Sequence, residues 1–332
     1  MKRFFIRLCE RLDILDLLRL LSGHFFEYRH PGLQDLAVQQ FLEPRASSAR
    51  TVGIVHLTVQ IRRWTRVHTY ARWRYWRSRA KRTLRRARAR SPSAPDVTFS
   101  LLCPSRDRAH RMQVLMESVC RTAERPERVE VLCYVDDDDP SLGEYRRLFA
   151  DADGRFRRLK RCELVVGESM TVGKLWNVLA RRSAGDVLMM ANDDQMYLDY
   201  AWDAAAEEEL RRHPDEIVCL FFDDGQYLPE RGDFPMVSRR WFEELGYFTP
   251  EIFQFWTHEL WIMDIAERIG RLQRVHGIRV DHLHYDQYLA VFDETYRRHR
   301  LDWMKSEQDG ILFRQTAEQR ESAAEKLRRL MR

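Results

Sequence analysis

The sequence predicts an α/β fold: a doubly wound, mostly parallel sheet flanked by helices, with an N-terminal helical basic extension. Three observations carry this reading. From Asp96 onward, short apolar runs alternate with amphipathic segments, the pattern of strands joined by crossover helices. Two of those runs end in acid clusters, Asp136 to Asp139 and Asp193-Asp194, which places both clusters on one edge of the sheet. Before Asp96 the chemistry is different. Between Ala46 and Pro95 there is no Asp or Glu, but there are 13 Arg and one Lys.

Size and composition allow this architecture. The 332 residues suffice for one large or two ordinary domains, and 44% hydrophobic residues can fill a core. The net charge of +5 is uneven: without the 14 positive charges of that stretch, the other 282 residues stand at −9. No apolar run approaches the roughly 20 residues of a membrane-spanning helix. The opening Met1 to Phe5 resembles a signal peptide, but charges recur at Arg7, Glu10, Arg11, Asp13, Asp16 and Arg19, so no clean apolar stretch follows. The six cysteines include no Cys-x-x-Cys pair. Cys103, Cys133 and Cys219 fall in predicted strands, where buried reduced thiols are the ordinary reading. The expectation is a cytoplasmic protein, peripheral on the inner face of a membrane if the basic extension binds one.

The chain divides into an extension over 1–95, a central domain over 96–290 and a helical tail over 291–332. Lys2 to Leu21 reads as an amphipathic helix with Phe4, Phe5, Leu8, Leu12, Leu15 and Leu18 near one face, ended by Ser22-Gly23. His30-Pro31-Gly32 is a turn, Leu33 to Phe41 a short helix, and Val52 to Val59 a strand or helix start. Gln60 to Arg90 reads as one long basic helix whose apolar residues, Ile61, Trp64, Val67, Tyr70, Trp73, Trp76, Ala80 and Leu84, recur mostly every three or four positions. Ser91 to Pro95 is a linker. The basic helix admits three readings. An anionic membrane surface and plain structural packing stand level, and nucleic acid ranks third, because no groove-reading fold surrounds the helix.

In the central domain, Val97 to Cys103, Glu130 to Val135, Glu163 to Val166 and Val187 to Ala191 are predicted strands. Arg111 to Ala123, Tyr145 to Ala150 and Val172 to Arg182 are predicted helices. Gly167 to Lys174 follows a strand and approximates a phosphate-binding loop. However, five residues separate its glycines instead of four, and Leu175 stands where Ser or Thr should be. That motif is rejected. Ile217 to Phe222 reads as another strand, with Asp223-Asp224-Gly225 as its turn.

The stretch with most chemistry is Asn192-Asp193-Asp194, at the carboxyl end of the buried run Val187 to Ala191. Adjacent acids repel and gain little from a plain turn. A divalent cation bridging to a diphosphate removes the conflict, because Mg²⁺ or Mn²⁺ takes one or two carboxylates together with phosphate oxygens. An isolated Asp-Asp would be a solvated loop; the apolar run before it shifts the balance.

Taken together, Val97 to Arg106, Tyr134 to Asp139, Gly173 to Asn177 and Gly185 to Asp194 resemble the nucleotide-sugar half of family 2 glycosyltransferases with the GT-A fold. Phe234 to Phe248 resembles the family's acceptor-side strand, helix and Gly-aromatic turn, and His258 to Gly270 its catalytic helix. The likeness runs in order over roughly 96–290. It implies a GT-A-type glycosyltransferase of the hexosyltransferase type, inverting, with Mn²⁺ or Mg²⁺ and a nucleotide-sugar donor, a UDP-sugar as first guess. It implies metal contact by Asp193 and Asp194, with Asp194 as the direct ligand. It further implies contact with the base by Asp136 or Asp137, and a nucleotide-side loop at Pro104 and Arg106. Glu259 stands eleven residues before Gly270, where the family places its general base, usually an Asp. His258-Glu259 here replaces the common Glu-Asp pair. Lys174 is a candidate for the diphosphate without a family equivalent.

Apart from the resemblance, Glu259 is an ordinary first-turn acid behind a Thr257 cap. His282 and His284 lie on a predicted strand, Ile278 to Tyr285, and at a spacing of two they face one side. As metal ligands or as a packed pair they stand level, with Asp281 and Asp286 as candidates to orient the rings. Phe253, Phe255, Trp256 and Trp261 cluster around Glu259; aromatic faces stack on sugar rings and also fill cores, and for Trp256 acceptor wall and core stand level. In the tail, Phe292, Tyr296, Trp303 and Met304 are expected to tuck onto the core, and Thr316 to Arg332 to be solvated. The partners expected are a nucleotide sugar and a glycan, lipid or other hydroxyl acceptor. The alternatives are a nucleotidyltransferase, for which Ser105 to Arg111 lacks the Gly-rich loop, or an inactive domain that binds membrane or nucleic acid through 60–90.

Overall fold

A computed structural model describes residues 57, 59–88, 97–225, 232–287, 289–290, 293–296 and 303–331. The expected helices at 2–21 and 33–41, most of 52–59 and the linker at 91–95 lie outside these residues, as does Phe292. The described residues fall into two compact units, one with 57, 59–71, 283–287, 289–290 and 293–296, and the other with those of 72–282 and 303–331.

The larger unit is built on one eight-stranded sheet. Its strands are β1 (Phe99–Pro104), β2 (Val129–Asp136), β3 (Arg161–Gly167), β4 (Val187–Met190), β5 (Gln195–Tyr197), β6 (Cys219–Asp223), β7 (Met236–Ser238) and β8 (Leu272–His282). Their order is β3-β2-β1-β4-β7-β6-β8-β5. The half containing β3, β2, β1 and β4 is parallel, as is the β6/β8 pair; β7 runs antiparallel to both β4 and β6, and β5 to β8. Leu102 is opposite both Leu132 and Met190. The chain segments leaving β1, β2 and β4 therefore emerge on the same edge, with Ser105, the Asp136 cluster and Asp193-Asp194.

Helices cover both faces. They are α1 (Ala71–Arg88), α2 (Ala109–Thr122), α3 (Leu142–Ala150), α4 (Val172–Arg182), α5 (Trp202–Leu210), α6 (Arg239–Leu245), α7 (His258–Arg268), α8 (Trp303–Gln315) and α9 (Ala317–Arg328). The period-two alternation of the strands explains the double layer. Leu101, Cys103, Val131 and Cys133 pack with Met112, Leu115 and Met116 of α2 and Trp202 of α5. Leu102, Leu132, Leu188 and Met190 face the other way, towards Leu175 and Leu179 of α4 and Trp261 and Ile262 of α7.

Two expectations change. The C-terminal segment is solvated on one face only: Arg320, Ala323, Ala324 and Leu327, at helical spacing, are buried, and α9 packs on α6 and α7. Its arginine content hides this, because Arg320 is itself buried, donating to Asp264 Oδ2 at 2.5 Å with its guanidinium over Phe313. The last long strand starts at Leu272 and stops at His282, so His284 is not on it. Gly173 serves packing: a Cβ there would lie 2.6 Å from both His258 Cε1 and the Pro250 carbonyl oxygen, so α4 approaches α7 only with a glycine at this position.

In the smaller unit, residues 59–65 are helical and Arg66–Tyr70 form a π-helical turn. The predicted basic helix is thus not uniformly α. Tyr285, Ala290 and Tyr296 form a small cluster. His284 stacks within it, 4.4 Å from the Tyr285 ring and 4.8 Å from the Tyr296 ring between centroids.

Candidate active site

The acid pair stands just past β4, after Ala191 and Asn192, and is buried at the sheet edge. Asp193 is held from the β1 side. Ser105 donates to its Oδ2 at 2.6 Å, and the Ser105 hydroxyl lies 2.5 Å from the Tyr145 hydroxyl, which accepts the Arg108 backbone N–H at 3.0 Å. The Arg108 guanidinium stands 3.3 Å from Asp193 Oδ1 and 3.8 Å from Asp194 Oδ2; Arg111 stands 3.9 Å from Asp194 Oδ2. Arg108 and Arg111 sit just before and within the first turn of α2, with side chains almost fully buried. Two buried guanidiniums thus offset two buried carboxylates, which neither set would tolerate alone.

Asp194 faces His282. Its Oδ1 lies 3.2 Å from His282 Nε2, and His282 Nδ1 donates to Asp233 Oδ2 at 2.9 Å. Asp233 in turn donates its backbone N–H to Asp224 at 2.9 Å. Burial opposes the Asp194 carboxylate, but His282, Arg108 and Arg111 outweigh it and hold Asp194 well below the usual carboxylate range. Asp193 moves up, mainly by burial and the adjacent Asp194 charge, with Arg108 opposing. Burial would lower His282, yet Asp194 and Asp233 raise it to about 10.

This arrangement fits a divalent cation. Octahedral Mg²⁺ or Mn²⁺ bonds of about 2.1 Å put neighbouring ligand atoms about 3.0 Å apart, near the Asp194–His282 separation. A carboxylate holding the outer imidazole nitrogen is the ordinary support of a metal-binding histidine. Among the described residues no three His, Cys, Asp or Glu groups form a protein cage. The remaining positions would therefore fall to substrate oxygens and water, as such ions prefer.

Glu259 opens α7 and is partly exposed. Burial of its carboxyl and the negative charge of Asp233 push it up to about 7, with His282 opposing. The site thus holds one carboxylate kept ionised and a second poised to exchange a proton near neutrality. Thr257 occupies the cap position at φ +71° without a side-chain cap bond, so the predicted cap is positional only. The loop before it is pinned from α8: the buried Asp309 accepts the backbone N–H groups of Gln254, Phe255 and Trp256 at 2.8, 2.9 and 2.8 Å. His258 points inward, bonded to Thr249 at 2.9 Å and packed between Trp176 and Phe253; burial lowers it to about 4. Phe253 and Trp261 are core, whereas Phe255 and Trp256 are half-buried.

The nucleotide-side candidates lie at the ends of β1 and β2 and at the start of α4. Pro104 ends β1, and Arg106 bonds Asp136 at 2.6 Å and Asp138 at 2.5 Å. Asp137 is exposed next to them, its backbone bonded to Gly167. Lys174 is exposed in the first turn of α4. His284 belongs to the smaller unit, in the tyrosine cluster. Asp281 does not orient His282: it points to the opposite face of β8 and accepts from Arg279 Nε at 2.7 Å. Asp233 does the orienting instead. Sequence reasoning missed Ser105, Arg108, Arg111, Tyr145 and Asp233. The two arginines three apart at a helix start were a usable signal; Asp233, in a Gly-Asp-Phe-Pro turn, had none. A separate cavity of about 450 Å³ lies between α4, α7 and α9. The Asn177 side chain in its wall is already committed to backbone groups of Phe248 and Thr249.

No family model and no curated relative matches the chain. Among solved structures, it is similar to S. aureus TarS 1-349 in complex with UDP-GlcNAc, at 12% identity and TM-score 0.44, over 55% of this chain and 58% of that one. The mannosyltransferase PcManGT from Pyrobaculum calidifontis, in complex with GDP-Man and Mn²⁺, aligns at 14% identity and TM-score 0.46, over 67% of each chain. GalNAc-T7 with UDP, GalNAc and Mn²⁺ aligns at 14% and 0.47, over 57% of this chain and 44% of that one. The chain therefore spans less than two thirds of the TarS structure's length.

Proposed function

We propose that the larger unit is a metal-dependent glycosyltransferase of the GT-A type, moving a sugar from a nucleotide-sugar donor to a hydroxyl acceptor with inversion. The observation that carries this reading is the meeting of Asp194 and His282, 3.2 Å apart at the carboxyl ends of the strands, beside a carboxyl group, Glu259, raised to about 7. The order of motifs along the chain agrees with it.

Asp194 and His282 would hold Mg²⁺ or Mn²⁺, with Asp233 orienting the imidazole and Ser105 and Arg108 fixing Asp193 behind the ligand. When bound, the ion neutralises the negative charge that a departing nucleoside diphosphate develops. Arg106 and Asp136, already bonded to each other, would face the nucleoside, and Lys174 would reach its phosphates. Glu259 takes the proton of the acceptor hydroxyl as that oxygen attacks the anomeric carbon. The carbon–oxygen bond to the diphosphate breaks on the opposite side, and one displacement inverts the centre. Buried free thiols at Cys103, Cys133 and Cys219 suit a reducing compartment.

The test is a thermal-shift panel of UDP, GDP, CDP, TDP and ATP, each with Mn²⁺, Mg²⁺ or chelator, beside Asp194→Ala. A ligand at 100 times its dissociation constant stabilises the native state by about 2.7 kcal/mol. A shift with one nucleoside diphosphate that needs metal and disappears in Asp194→Ala supports the donor site and names the base. No shift with any nucleotide overturns the reading.

A further inference from the structure

Helix α1 has two unlike faces. The inner face is fastened to the larger unit. Arg74 forms a two-pronged ion pair with the buried Asp199, whose Oδ1 accepts from Arg74 Nε at 3.0 Å. Arg82 pairs with Glu124 at 3.1 Å, Ser78 Oγ accepts the Tyr200 backbone N–H at 2.8 Å, and the Tyr75 and Tyr200 rings meet edge-on at 5.8 Å. The spacing 74, 75, 78, 82 puts these anchors on one side of the helix.

On the opposite side run Trp73, Trp76, Ala80 and Leu84, again three or four apart. Trp73 is 53%, Trp76 61% and Leu84 62% exposed. Exposed Arg72, Arg77, Arg79 and Lys81 flank this ridge, with the Arg77 guanidinium 5.1 Å over the Trp73 ring and Arg79 5.4 Å over Trp76. No acid lies anywhere on the helix. The smaller unit carries the same chemistry: Leu57, Ile61 and Trp64 are also exposed.

We propose that the outer face of α1 is a docking surface for an anionic lipid bilayer, with Trp73, Trp76 and Leu84 entering the headgroup region and the flanking cations pairing with lipid phosphates. The arrangement of charge selects this occupant. A nucleic-acid surface places its cations at the centre, over the phosphates. Here the centre is apolar for three turns and the cations form the margins, the pattern of helices that lie in a membrane interface. A second copy of the helix would bring like charges together. Each basic side chain near an anionic surface contributes roughly a fivefold gain in affinity, so the margin and the ridge act together. The proposal is independent of the catalytic reading.

The experiment is co-sedimentation of the full chain with vesicles of phosphatidylcholine alone and of phosphatidylcholine mixed with phosphatidylglycerol, with an oligothymidylate competition arm. The comparison is with a Trp73→Ser/Trp76→Ser/Leu84→Ser variant and a separate Arg77→Glu/Arg79→Glu/Lys81→Glu variant. The expected result is binding to the anionic vesicles only, weakened by added salt and reduced roughly tenfold or more by either variant. All six positions are exposed, and the variants should melt where the native chain does; if one misfolds, the other decides. Absence of binding to anionic vesicles, or equal binding by a folded variant, overturns the proposal. Tighter binding to oligothymidylate, lost in the same variants, overturns it in favour of nucleic acid.

Discussion

Asp233 holds the Nδ1 side of His282 at 2.9 Å and so turns Nε2 towards Asp194. Three residues from three different chain segments thereby become one line of contacts, and Asp233 belongs to it only through the imidazole. Loss of such a support typically costs 10–100-fold in metal affinity or activity. Asp233→Asn should therefore weaken Mn²⁺-dependent nucleotide binding by about that factor without unfolding the protein. Isothermal titration with the preferred nucleoside diphosphate, with and without Mn²⁺, would measure it. Equal metal dependence in the variant would remove Asp233 from the site.

Glu259 makes two linked predictions. As a base raised to about 7, it must be ionised to act, so kcat/KM should climb as pH rises through about 7 and fall below it. Stability runs the other way. Between the unfolded value near 4.5 and about 7, the native state binds the extra proton, and its contribution is lost as pH rises. Glu259→Gln should abolish transfer yet be more stable than the native chain at pH 8, by roughly 1–3 kcal/mol, and so melt at a higher temperature. That advantage should vanish near pH 4.5. Melting curves of the two proteins across this range give the answer; a lower melting point for the variant at pH 8 would refute it.

Asp309 is completely buried and accepts three consecutive backbone N–H groups in front of α7. Removing the acceptor strands all three donors. Asp309→Ala should destabilise the fold by about 2–4 kcal/mol and lower activity through the displaced loop. Urea unfolding measures the first effect. A loss below about 0.5 kcal/mol would mean that the loop re-satisfies itself.

Gly173 tests the close contact of α4 with α7. A methyl group there would press on His258 and on the Pro250 carbonyl oxygen, and backbone cannot yield cheaply. Gly173→Ala should cost about 1–3 kcal/mol, although alanine is the better helix former. A stabilised variant would show that the two helices have slack between them.

What the sequence by itself determined is local. Apolar runs such as Val129–Asp136 and Val187–Met190 form strands because their side chains suit a sheet buried on both faces, and α4 is legible to its ends from its amphipathic spacing. The acid pair was visible because two adjacent carboxylates after a buried strand are locally unfavourable. The tertiary structure decided which distant groups meet those carboxylates. His282 approaches Asp194 because β8 ends at the sheet edge, while His284, two residues on, lies past the strand and in the other unit. Asp233 and not Asp281 holds the imidazole, since strand alternation turns Asp281 to the opposite face. Arg108 and Arg111 lie under the acid pair because α2 starts there, and one face of α9 is buried because α6 and α7 offer it an apolar surface. Propensity and periodicity act over a few residues, whereas a buried charge needs a partner that only the folded sheet brings within hydrogen-bonding reach.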